Sequence, residues 1–225
     1  MYKFAGKVLS ITAATLMVTS AISSAQSMDE IVEAAKKEGM LSVIALPHDW
    51  CGWEGILAGF KAKYPEISLN ELNPDAGSAD EIEAIRANKG NTGPQAPDVI
   101  DVGLAFGPSS TKEGLLLPYK VSTFDGIEVK DPEGHWYGGY YGVLSFEVNT
   151  DIVKEVPQDW ADLLKPEYAN SVALAGDPRA ANQAILSVYA AGLAAAGGDA
   201  SKASEAGLDF FKQLNEKGNF VPVIG

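Results

Sequence analysis

Short apolar runs alternate with amphipathic stretches through the first half of this chain. Residues 27–39 predict a first helix, with Ser27 as its cap, Glu30 three residues on and Gly39 as its stop. Leu41–Leu46 is a compact apolar run and predicts a buried strand. Pro47–Gly52 reads as a loop, and Trp53–Tyr64 places Ile56, Leu57 and Phe60 at helical spacing before Pro65. Ile67–Leu72 predicts a second strand, Ser78–Lys89 a helix, and Asp98–Val102 a third strand. A Gly/Pro loop from Gly103 then leads into a short helix ending at Gly114. Strand–helix alternation with short loops implies a mostly parallel sheet covered by helices, an α/β fold.

The pattern changes after that. Tyr119–Tyr141 is rich in Gly, Pro, Asp and aromatic residues, and Tyr141–Val148 predicts an extended segment. Short helical pieces are expected at Asp151–Glu155 and Trp160–Leu164, and a strand at Val172–Leu174. An Ala-rich helix follows, with Pro178 near its first turn, and runs to Ala196. Ser201–Lys217 predicts a last helix, and Phe220–Ile224 is strand-like. The composition therefore suggests two α/β lobes joined near residues 142–150. We divide the chain into 1–25, 26–145 and 146–225, the last being a second lobe that looks incomplete.

The first 25 residues add a location. Lys3 and Lys7 precede an uncharged apolar run, Val8–Ala21, and Ser23-Ser24-Ala25 supplies small residues at a cleavage point. This is the pattern of a secretory signal peptide cleaved near Ala25, and the run is shorter than the ~20 residues that span a bilayer. The formal net charge of −13 disfavours nucleic acid and anionic lipid as partners. With one cysteine, Cys51, the chain has no internal disulfide, so packing must stabilise it. No GxxxxGK[ST], HExxH or CxxC motif is present, and no nucleophile–base set is evident. The expectation is therefore no enzyme, no cofactor and no metal.

Several stretches resemble a known family. They are Ile31–Gly39, the loop His48-Asp49-Trp50-Cys51-Gly52-Trp53, Asp98–Pro108, Lys130–Gly138, Tyr141–Asp151, Pro157–Tyr168 and Val172–Arg179. In order and spacing they resemble periplasmic solute-binding proteins of bacterial ABC importers, in the extracellular families that include polyamine, ferric-ion and phosphonate binders. The resemblance implies a two-lobed type II periplasmic-binding-protein-like fold with solute in the interlobe cleft. Members are much longer and return to the first lobe after the second. By that standard this chain reads as a C-terminally truncated piece. The implied partners are a small-molecule solute and an inner-membrane ABC permease, with the protein a periplasmic monomer not stably inserted in the membrane.

Ligands of open parallel sheets sit beyond the carboxyl ends of strands, so the loops there supply candidates. The first loop offers Asp49 between Trp50 and Trp53; a carboxylate beside indole faces suits a cation. Packing of the helix onto the sheet is an equal reading for Trp50 and the stronger one for Trp53, which lies inside the helix. Ser78 can cap the next helix, and Phe106 can line the pocket after Gly103. In the second lobe Asp177 and Arg179 stand at the expected start of the long helix, where an anion fits; their local pairing is the plainer alternative. Tyr137 stands just ahead of the extended segment and completes the candidate set. Adjacent Tyr140 and Tyr141 point to opposite faces if extended, which argues against a shared ferric ion. A polyamine-like cation is slightly favoured. Ferric ion, a phosphonate or carboxylate, and an enzyme or ligand sensor on the same scaffold stand as alternatives.

Overall fold

The computed structural model describes residues 27–221. The expected signal peptide lies outside the described residues. Helix α1, Met28–Glu38, is capped as its sequence predicts. Ser27 Oγ accepts from the Glu30 N–H, the Glu30 carboxylate accepts from the Ser27 N–H at 2.8 Å, and Gly39 closes the helix at φ 72°. Strand β1 (Met40–Ile44) pairs in parallel with β2 (Ser68–Leu72), in register from Met40–Ser68 to Ile44–Leu72. Helix α2 (Trp53–Lys63) makes the crossover that a parallel pair requires. Val43, Leu46 and Leu57 form the buried cluster beneath it, with Leu41, Trp53 and Leu69 packed around them.

The third predicted strand shrinks to a single parallel bridge between Val43 and Val99, on the side of β1 away from β2. Side-chain chemistry explains the shortening. The Asp98 carboxylate accepts from the Ser42 N–H at 2.8 Å, and the Asp101 N–H donates to Glu81 at 2.8 Å, drawing the chain off the ladder toward α3 (Ser78–Ala87). Helix α4 is Phe106–Lys112. The cap of α3 is Gly77 rather than Ser78, and the Asp80 carboxylate accepts from the Gly77 N–H at 3.1 Å.

The remaining chain holds α5 (Asn182–Ala195) and α6 (Ala203–Glu216), with 3-10 turns at Phe124–Gly126, Trp160–Leu164 and Pro166–Tyr168. Their core is Leu163, Ala191, Phe210 and Leu214, joined by Trp160, Val172 and Phe220. Val172 and Phe220 form a parallel bridge; residues 222–224 of the strand expected there lie outside the described residues. Asp151–Glu155 is a turn rather than a helix. Helix α5 begins four residues beyond Pro178. The Asp177 carbonyl accepts from the N–H groups of Ala180 and Ala181, so residues 177–181 close a turn of their own. Between the two halves, residues 139–148 make no backbone hydrogen bond among the described residues, and Tyr141 and Val143 are 92% and 87% exposed. The architecture is mixed α/β with parallel pairing. Among the described residues no helix is long and apolar enough to cross a membrane.

Candidate functional site

The strand ends and the following loops gather polar groups at one edge of the small sheet. After β1 the chain leaves through Ala45, at φ 59°, and reaches Trp50 and Cys51, the latter at φ 46°. Left-handed backbone at non-glycine residues costs about 1 kcal/mol or more each. Both residues lie in the loop that presents Asp49 and Trp50. Gly52, at φ 80°, then opens α2, so that Trp53 is its first residue.

Asp101 stands at the end of the third, abbreviated strand. Its Oδ2 accepts from the Tyr140 hydroxyl at 2.7 Å and from Trp53 Nε1 at 3.3 Å. Trp50 Nε1 donates to the Tyr140 hydroxyl oxygen at 3.1 Å. One carboxylate thus holds an indole and a phenol directly, and the phenol in turn holds a second indole. Trp50 and Tyr140 are about half exposed, so the group presents an open face. Asp49 is also exposed and makes no side-chain hydrogen bond among the described residues. Burial, together with the bond to Asp101, pushes the Tyr140 phenol up to about 12, so it holds its proton at neutral pH and stays a donor.

Helix α3 and the approach to α5 meet around Gly103, two residues beyond Asp101. The buried Ser78 hydroxyl accepts from the Gly103 N–H at 3.0 Å, instead of capping its helix. A Cβ on Gly103 would lie 2.2 Å from the Asn182 side chain, so glycine is required for the close approach of α5. The Ala79 N–H donates to the Ala180 carbonyl at 3.4 Å. Phe106 begins α4, half-buried, with its N–H donated to the Gly103 carbonyl at 2.9 Å.

Three predicted site residues, Tyr137, Asp177 and Arg179, are engaged by local partners. The Tyr137 hydroxyl donates to the Tyr119 carbonyl, and its ring meets Phe124 edge-on with centroids 6.1 Å apart. Arg179 is 89% exposed in its side chain, and its Nε donates to both Asp177 oxygens at 3.0 Å. That pairing holds the Asp177 carboxyl down at about 2. Residues 177–181 form a turn that runs directly into α5, with Ala181 as its N-cap residue. Sequence reasoning missed Asp101 and considered Tyr140 only as a ferric-ion ligand. A signal for Asp101 was present: a carboxylate in an otherwise apolar run at a strand's carboxyl end.

Two cavities, of about 280 and 390 Å³, lie elsewhere. They are lined by Phe146, Trp160 and Ala190, and by Trp160, Ala191 and Phe210, respectively, among others. The first borders α5 and the second both α5 and α6, rather than the strand ends. Among the described residues no cluster of three His, Cys, Asp or Glu side chains is set to hold a metal.

Parallel pairing in an α/β chain, with polar and aromatic groups converging at the strand ends, is the arrangement of a small-molecule binding protein. The chain belongs to the bacterial extracellular solute-binding proteins, whose family model matches residues 95–224. The matched range takes in Asp101 and Tyr140 but starts beyond Trp50 and Trp53. An uncharacterized protein of Haemophilus influenzae is 34% identical over 125 residues, which is 50% of this chain and 35% of that relative. The chain therefore spans about a third of the length of the curated relative it matches.

Proposed function

We propose that this protein captures a small cationic solute against the Asp101–Tyr140–Trp50 group and delivers it, from the periplasm, to a permease of an ABC importer. The observation that carries the reading is the Asp101 carboxylate, which collects Trp53 and Tyr140 on one open face beside Trp50 and Asp49. A carboxylate flanked by indole and phenol faces suits an ammonium group, each aromatic contact adding about 0.5–2 kcal/mol. The net charge of −13 supplies a weak long-range attraction of the same sign. Arg179, which would favour an anion, is engaged by Asp177. Export rests on the signal-like first 25 residues.

The lobes are residues 26–145 and 146–225, with the unpaired stretch 139–148 between them as the hinge. Two separate buried clusters and the lack of backbone hydrogen bonds in that stretch support the division. Tyr140 then ties the start of the hinge to the first lobe, where a bound solute can bias it.

A thermal-shift screen of polyamines, amino acids, phosphonates and ferric ion tests this reading. A polyamine is expected to raise the melting temperature without being consumed; turnover, or a hit confined to anions, overturns it. Arg179→Ala is expected to leave the affinity for that polyamine within about twofold, as for an exposed ion pair outside the site. Calorimetric titration measures it, and a tenfold loss would restore Arg179 to the site.

A further inference from the structure

Glu81 is fully buried, one turn into α3, and nothing in the binding reading above uses it. Its Oε2 accepts from the Asp101 N–H at 2.8 Å, while its Oε1 has no hydrogen-bond partner. The charged groups that bear on it are Asp101, from the strand-end loop, and Asp80 on its own helix, both acidic. Arg86, further along α3, is engaged by Glu83 and Glu113. Among the described residues, the side chain of Glu81 has one hydrogen-bond partner from outside its helix, the Asp101 N–H. A buried carboxylate facing two acids without a cation is the arrangement least able to carry a negative charge.

We infer that Glu81 is a positioning residue that acts as an uncharged acid. It fixes the backbone of Asp101, and the solute site keeps its geometry only while Glu81 retains its proton. This rests on the reading of Asp101 as a solute contact. The geometry is direct. Asp101 is held at its N–H by Glu81 and at its carboxylate by Tyr140 and Trp53. Ionising Glu81, itself fully buried, sets a second negative charge beside Asp101, and the strand-end loop relaxes outward. Burial first, with the two aspartates adding to it, raises the Glu81 carboxyl to about 9 against the opposing bond from Asp101.

The sign follows from linkage. An acid that binds its proton more tightly when folded contributes stability that is complete below its unfolded value, near 4.5, and is lost progressively up to about 9. Glu81→Gln keeps the shape and the acceptor and removes the titration. Melting temperatures of the full chain and of Glu81→Gln are therefore compared from pH 5 to 9, with tryptophan emission followed in parallel. The difference between variant and wild type is expected to grow by at least about 4 °C across that range in the variant's favour. An alkaline change in the emission of the four tryptophans, Trp50 and Trp53 among them, is expected in the wild type and not in the variant. A purely structural role would shift the melting temperature by a constant amount, and parallel curves overturn the inference. If the variant does not fold, infrared spectra of the wild type decide. A protonated carboxyl band at pH 7 that fades as the pH is raised above 9 supports the inference; its absence at pH 7 overturns it. These readouts need no solute, so a failed solute screen sinks the binding reading and leaves this one standing on its own result.

Discussion

Asp101→Ala is expected to weaken the strongest polyamine hit by at least tenfold. The carboxylate is the convergence point of the site, and its loss has three consequences. The Tyr140 hydroxyl loses its acceptor at 2.7 Å and Trp53 Nε1 loses its acceptor at 3.3 Å. Trp53 Nε1 is partly buried, and leaving such a donor unsatisfied costs about 1–3 kcal/mol, whereas the exposed Tyr140 hydroxyl turns to water. The ammonium group loses its counter-charge as well. Tyr140 is also released from the strand-end loop, which frees the start of the 139–148 stretch. Asp101→Asn separates the contributions: it retains an oxygen acceptor for Tyr140 and Trp53 but no charge. It is expected to bind more weakly than wild type and to melt closer to wild type than the alanine variant does. Calorimetric titration and thermal unfolding measure both, and unchanged affinity in Asp101→Ala would place the solute elsewhere.

The second large effect concerns stability. Gly192→Ala is expected to destabilise the protein by more than about 3 kcal/mol, a fall of roughly 6–12 °C in Tm. In an isolated helix the same change would help, since alanine exceeds glycine by about 1 kcal/mol in helix propensity. Here packing wins. A Cβ at position 192 would lie 1.9 Å from the Ala203 carbonyl oxygen and 2.4 Å from the Gly207 nitrogen, both backbone atoms that cannot rotate away. Helices α5 and α6 meet backbone to backbone at these two glycines, and Ala191, Phe210 and Leu214 fill the core beside them. Gly59→Ala is the control. Gly59 sits on α2 with open space where its Cβ would stand, so there the propensity gain is expected to appear as a modest rise in melting temperature. Equal behaviour of the two variants would mean that the α5–α6 contact is looser than described.

Elements whose ends are written in local chemistry were legible from the sequence. The Ser27–Glu30 capping box and Gly39 delimit α1, and the apolar run at 41–46 with the helical spacing at 53–64 gives β1 and α2. Misplacements occurred where a side chain competes with the regular pattern. Asp98 and Asp101 engage neighbours in ways that end the third strand early, and the Asp177 turn displaces the start of α5 to Asn182. In each case a short polar side chain or a local turn took backbone groups that periodicity alone assigned to a strand or helix.

By itself the sequence determined the alternation of strands and helices, the parallel α/β class, the acidic surface and the loop that offers Asp49, Trp50 and Trp53. Only the tertiary structure decided that Asp101 joins Trp53 across 48 positions and Tyr140 across 39, and that Glu81 lies buried behind them. The reason is one of range. Hydrophobic periodicity and capping act over three or four residues, so they mark where an element begins and which face it hides. Which carboxylate meets which phenol depends on how separate elements stack, and a residue such as Glu81, polar in a first helical turn, looks solvent-facing until its neighbours close over it.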